Sequence, residues 1–152
     1  SDLVSIQLPS SYGYVLLTCI VGPFLAGGIM AGKVVRARKA FDVKLPNLYA
    51  TPGVHKMADE FNRVQRGHQN MLETIGIFIP AALVGGVKHP VVAAACGFLF
   101  SIGNYLYQLG YMDSSKDIKM ARHVKGGPLR LVGFLGVIGC TISMAGTLLG
   151  WF

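Results

Sequence analysis

Charge is scarce in this sequence. Only 14% of its 152 residues are Asp, Glu, Lys or Arg, and the acidic ones number 7 against 14 basic. More than half of the chain, 52%, is hydrophobic, and its mean hydropathy is +0.50. That balance does not suit a soluble globule of this size. The missing charge is also localised: residues 3–32, 90–112 and 131–152 contain no charged side chain at all. Cysteine is nearly absent. Cys19, Cys96 and Cys140 lie in apolar blocks and form no CxxC pair, which argues against a disulfide framework and reads as buried free thiols. His55, His68, His89 and His123 are scattered without metal-ligand spacing. There are no internal repeats and no low-complexity tracts. The first block lacks a basic leader, with only Asp2 ahead of it, and it exceeds the length of a signal-peptide core. No Arg-rich presequence is visible, so this block is expected to stay as a span.

What is present is a set of long apolar runs. With one mixed segment they give four candidate spans, approximately 12–35, 66–87, 90–111 and 131–152. The expected fold is an all-α integral membrane protein, a single domain over 1–152 built as an up-down-up-down four-transmembrane-helix bundle. The net charge of +7 falls mainly in two connections. The one after the first span carries Lys33, Arg36, Arg38, Lys39, Lys44, Lys56, Arg63 and Arg66, and the one after the third carries Lys116, Lys119, Arg122, Lys125 and Arg130. The positive-inside rule places both connections in the cytosol and both termini on the opposite side. Topology and anionic headgroups account for the basic excess, so no nucleic-acid partner is expected.

Punctuation along the chain is consistent with this plan. Pro23 and Pro80 fall inside spans and are expected to bend them. Gly27, Gly28 and Gly32 in the first span, and Gly133, Gly136, Gly139 and Gly146 in the fourth, permit close helix approach. Pro46 fixes a loop over 42–49, and Thr51-Pro52-Gly53 signals a turn. Asp59 and Glu60, four and three residues before Arg63, suit the start of a helix.

The mixed segment carries the chemistry. Its uncharged part, 74–87, is too short to cross a bilayer, which takes about 20 residues. A spanning helix must draw Glu73, Asn70 and Arg66 toward the membrane. They are spaced i, i+4, i+7 and share one helix face. Ionisable groups at that depth are costly and tend to face a polar interior or a functional site. At the same membrane face the first span ends in Arg36-Ala37-Arg38-Lys39, and the third ends with Tyr105, Tyr107 and Tyr111. Guanidinium groups bind carboxylates in bidentate fashion, a buried carboxylate seeks a cation, and tyrosine hydroxyls donate to a carboxylate or thiolate. Together they suit a small peptide-like zwitterion, with an apolar co-substrate arriving from the lipid. Each group also has a plainer reading: a structural ion-pair network, an interfacial aromatic belt and a topology signal.

The run Val64-Gln65-Arg66-Gly67-His68-Gln69-Asn70-Met71-Leu72-Glu73 resembles the second-helix signature of the membrane-associated proteins in eicosanoid and glutathione metabolism, the MAPEG family. The chain is most similar to that family's type 3 microsomal glutathione transferases. Ser11-Tyr12-Gly13-Tyr14, Leu45-Pro46-Asn47-Leu48-Tyr49 and Gly85-Gly86-Val87-Lys88-His89-Pro90 carry the resemblance along the chain, and Tyr107-Gln108-Leu109-Gly110-Tyr111 resembles the family's third-helix Tyr-x-x-Gly-Tyr. The resemblance implies a homotrimer in the endoplasmic reticulum or the outer mitochondrial membrane, with glutathione as co-substrate bound between subunits at the cytosolic face. It implies Arg38, Arg66, His68, Asn70, Glu73, Tyr107 and Tyr111 as glutathione contacts, Glu73 meeting the α-amine and the arginines the carboxylates. It implies a transferase and peroxidase that activates the glutathione thiol toward a lipophilic electrophile or a lipid hydroperoxide.

One departure stands out. The leukotriene-forming branch has an activating Arg shortly after the third-helix tyrosines, and a direct count puts Ile118 there. Tyr107, Lys116, Lys119 and Arg122 are the candidates for thiol activation in its place. The competing expectation is a non-catalytic lipid-binding scaffold, or an accessory subunit of a larger membrane complex.

Overall fold

The computed structural model describes residues 5–151. Four helices in it are long and apolar enough to cross a membrane: α1 (Tyr12–Ala40), α2 (Ala58–Lys88), α3 (Pro90–Tyr111) and α5 (Leu129–Leu148). A short helix, α4 (Ile118–Val124), lies between the last two. No strand occurs among the described residues.

The helices start and stop for local reasons. Pro23 has no amide hydrogen to offer Cys19, and α1 accommodates this with a π turn over Leu17–Val21, in which the Gly22 amide donates to Leu17 O. Pro80 sits inside α2 without ending it. Asp59 and Glu60 occupy the first turn of α2, where carboxylates oppose the positive helix end. Arg63 Nε donates to Asp59 Oδ2 at 2.8 Å, the i, i+4 pair that their spacing allows. Asp117 caps α4 by accepting from the Lys119 amide at 2.9 Å.

Several bounds differ from the apolar runs, and α1 continues past residue 35 to Ala40, carrying Arg36, Arg38 and Lys39 on its last turns. Helix α2 begins at Ala58, ahead of Arg66, because its polar first turns carry their own charge pairing and need no lipid. Its 31 residues make a rod of about 46 Å, longer than the roughly 30 Å hydrocarbon layer, so the Asp59–Arg63 turn projects beyond it. Helix α5 ends at Leu148; Gly150, at φ 69°, turns the chain out before Trp151.

Sequential helices run antiparallel. Val15 near the start of α1 meets Gly86 near the end of α2, and Gln108 near the end of α3 meets Gly67 near the start of α2. A single residue, His89, joins α2 to α3. Helix α3 packs against all three of the other membrane helices. Small residues set this spacing: a Cβ on Gly85 would lie 2.6 Å from Thr141 N, and one on Gly103 would lie 2.7 Å from Arg130 Cα. The core between the helices is apolar, with Phe78 and Phe100 stacked at 3.8 Å between ring centroids. A second cluster, including Val34, Val43, Ala50 and Phe61, lies beneath the 42–50 loop at the basic end.

Candidate functional site

The stripe on α2 forms on one face, as its spacing predicts. Nη1 of Arg66 donates to Glu73 Oε1, and Nη2 donates to Oε2 at 3.1 Å. A bidentate guanidinium–carboxylate pair spanning two turns lowers the cost of both charges at membrane depth. Both side chains are partly exposed on the subunit surface, at 40% for Arg66 and 47% for Glu73. The pair therefore faces outward from the bundle rather than into its core. Arg66 also interacts with Tyr49 from the preceding loop. Asn70, between them on the same face, has a buried Nδ2 with no hydrogen-bond partner. An orphaned amide donor of this kind calls for a ligand or water acceptor. His68 lies partly buried on α2.

The tyrosines form a second half-site around the end of α3. Tyr107 is 3% exposed and Tyr111 is 8% exposed, with their rings tilted at 5.2 Å. The Arg130 guanidinium, from the first turn of α5, lies 4.4 Å from the centre of the Tyr107 ring. Both Arg122 and Arg130 interact with the Tyr107 side chain. His123 stands edge-on to the same ring at 6.5 Å, and its Nε2 accepts from Arg122 Nε at 3.1 Å. Gly127 leaves room for this cluster: a Cβ there would sit 3.0 Å from Tyr107 Cδ2.

Of the three loop cations read as candidates, the structure brings Arg122 to Tyr107. Lys116 is exposed and paired with Asp113 Oδ2 at 3.7 Å. Lys119 is exposed on α4. The Asp113 carboxyl is held below the usual carboxylate range, first by the Ser115 hydroxyl, with help from the Ser115 amide and from Lys116 and Lys125. Arg63 Nη1 ties this loop down by donating to Asp113 O at 3.1 Å and Lys116 O at 3.2 Å.

Arg38 takes a different position from the rest. Its Nη1 donates to Val43 O at 3.1 Å and Asn47 O at 2.7 Å, and its guanidinium lies over the Phe61 ring at 5.0 Å. It braces the 42–47 loop. Asn62 clasps the far end of that loop, accepting from the Ala50 amide at 2.7 Å and donating to Ala50 O at 2.9 Å.

Arg130 is the residue that sequence reasoning passed over. It reads as one more cation of a basic connection. The available signal was its place directly before the apolar fourth span, at the membrane edge, where a guanidinium needs a partner. The contacts of the α2 stripe stay on α2 and the loop before it, and those of the tyrosine cluster stay on α3, α4 and α5. Both half-sites lie at the basic end of the bundle.

Known proteins share this sequence over most of its length. Microsomal glutathione S-transferase 2 of Homo sapiens is 32% identical over 112 residues, covering 73% of this chain and 71% of that protein. Its Bos taurus counterpart is 28% identical over 110 residues, covering 72% and 70%. An uncharacterized protein of Synechocystis is 30% identical over 123 residues, covering 80% and 76%. The profile of the MAPEG family matches residues 15–150, which takes in all four membrane helices but for the first three residues of α1. The chain belongs to the MAPEG family.

Proposed function

We propose that this protein is a membrane-bound glutathione transferase that also reduces lipid hydroperoxides, working as a homotrimer with glutathione held between neighbouring subunits. The observation that carries the reading is the pair of guanidinium groups, Arg122 and Arg130, brought together on Tyr107. They supply the positive field that a direct count to Ile118 leaves missing. The outward-facing Arg66–Glu73 pair and the orphaned Asn70 donor supply the second half, and a subunit boundary is where two such halves meet. The transferase names of the human and bovine relatives support the same chemistry.

In this reading Glu73 takes the α-amine of glutathione, Arg66 and Asn70 take carboxylate and backbone oxygens, and Tyr111 and His68 line the peptide. Arg38 acts one step removed, by bracing the loop that carries Tyr49 onto Arg66. The thiol loses its proton to solvent, and Arg122 and Arg130 stabilise the thiolate beside the Tyr107 hydroxyl. The thiolate then forms a C–S bond to a lipophilic electrophile as that carbon's bond to its leaving atom breaks. With a hydroperoxide it attacks the terminal oxygen instead. The O–O bond breaks, an alcohol leaves, and a second glutathione converts the sulfenic acid to disulfide and water. The site faces the cytosol, on the endoplasmic reticulum or the outer mitochondrial membrane.

The test is glutathione binding to detergent-solubilised protein, with ultraviolet absorbance reporting the thiolate. Binding with thiolate is the expected result. A second reading, a lipid-presenting scaffold or accessory subunit, draws on the Arg66–Glu73 pair being satisfied without any ligand. It requires that glutathione neither bind nor protect the protein against heat.

A further inference from the structure

We propose that Gln108 is a positioning residue: its side-chain amide holds the backbones of α1 and α2 against the end of α3, and so sets the tyrosine cluster at the angle to the Arg66–Glu73 stripe that thiol activation needs. This rests on the glutathione reading above and names what aligns its two halves. Gln108 follows Tyr107 in sequence and is fully buried. Its Nε2 donates to Met30 O of α1 and to Val64 O of α2, each at 3.2 Å. An amide nitrogen has two hydrogens to give and does not accept, so two facing carbonyls fix its orientation. One small group thus joins three helices. Helix α2 lies directly against the same residue: a Cβ on Gly67 would sit 2.8 Å from Gln108 Cγ and 2.9 Å from Gln108 Cα. Gly67 adjoins Arg66, as Gln108 adjoins Tyr107. The contact therefore stands one residue away from each half-site.

Stability alone does not account for this side chain. Met30 O and Val64 O lie inside regular helices, where each accepts an amide four residues on. The bonds from Gln108 are second bonds to carbonyls already satisfied. Its own Oε1 is buried with no partner among the described residues, and an acceptor left bare in an apolar bundle is costly. A methionine of similar length would fill the space without that cost. Asn104, one turn earlier on the same face of α3, supplies the contrast. It too is fully buried with an unpartnered Oδ1. Its Nδ2, however, donates to Phe100 O of its own helix at 2.8 Å, so it ties no other helix to α3. In a ring of identical subunits each one contributes both halves, and the angle between them inside a subunit decides how they meet at the boundary. Gln108 gives up stability for that angle.

The experiment follows the thiolate of glutathione by ultraviolet absorbance as pH is varied, on the whole chain in detergent, unmodified and as Gln108→Met, Gln108→Glu and Asn104→Leu. In Gln108→Met the titration midpoint is expected to move up toward that of a free thiol, about 8.5 for cysteine. The same variant should lose about tenfold or more in kcat, within the range that small misplacements reach. Its Kd for glutathione should hold, because the stripe binds the peptide, and its thermal midpoint should hold or rise. Gln108→Glu, kept protonated by burial, can donate to one carbonyl and should lie between. Asn104→Leu should leave the thiolate midpoint and kcat unchanged. A thiolate midpoint indifferent to residue 108 would overturn the proposal and leave the glutathione reading intact. So would an equal shift from Asn104→Leu, or a fall in the thermal midpoint of Gln108→Met, which would make the amide a plain core contact. Absence of thiolate in the unmodified protein would overturn the glutathione reading itself, and this inference with it.

Discussion

At the scale of single residues, the site depends on where charge is tolerated. Arg66 and Glu73 sit near a low-dielectric boundary and hold each other in a bidentate pair. Removing one partner strands the other, and it also removes a charge-assisted contact worth about 1.5–3 kcal/mol to a ligand. Glu73→Gln and Arg66→Ala are each expected to weaken glutathione binding at least about tenfold, measured by calorimetry or by heat protection. Unchanged affinity in both would remove the α2 half-site. Arg130 makes a different contribution, because it faces Tyr107 rather than the stripe. Arg130→Ala is expected to lower the thiolate fraction and kcat while sparing the Kd for glutathione. Arg130→Lys is expected to restore it only partly, since an ammonium lacks the planar guanidinium that lies over the ring. Lys119→Ala, on an exposed position of α4, should change neither quantity. A thiolate signal that depends on Lys119 and ignores Arg130 would reverse the assignment.

At the scale of elements, helix approach and loop bracing decide what is rigid. Gly103 lets α3 lie against the first turn of α5, which is how Arg130 reaches Tyr107. Gly103→Ala is expected to cost about 1–3 kcal/mol through overpacking, read as a lower thermal midpoint in detergent, and to reduce activity further by displacing Arg130. The 42–50 loop hangs on Arg38 and Asn62. Asn62→Ala removes two hydrogen bonds to Ala50 and should expose the loop to limited proteolysis while the helices stay intact. The loop before α4 carries a pH dependence. The Asp113 carboxyl is held low by Ser115, so the stabilisation is present above its unfolded-state value and is lost as pH falls through the depressed one. Hydrogen exchange at the Ser115 amide should therefore stay slow at neutral and mildly acidic pH and quicken only below the ordinary carboxylate range. Quickening near pH 6–7 would point to a histidine instead.

At the scale of the whole molecule, the proposed function draws on an outward-facing stripe and a buried tyrosine cluster, and glutathione held between subunits would make it a property of the assembly. Crosslinking or mass measurement in detergent should find trimers, and mixing Glu73→Gln subunits with Arg130→Ala subunits should restore some activity by rebuilding intact sites at mixed boundaries. No recovery would place the whole site within one subunit. Much of this was legible in the sequence. Runs without charge specify spans, since buried charge is expensive in lipid, and the 66/70/73 spacing specifies a shared face, since α-helical geometry repeats every 3.6 residues. The starting point of α2 at Ala58 was less legible, because helix in water is not marked by hydropathy. The outward direction of the stripe, the turn of Arg38 toward its loop and the approach of Arg130 to Tyr107 were decided only by tertiary structure. Each depends on which faces of separate helices meet, and that is set by glycine-width contacts between residues such as Gly103 and Arg130, remote in sequence and silent until the helices pack.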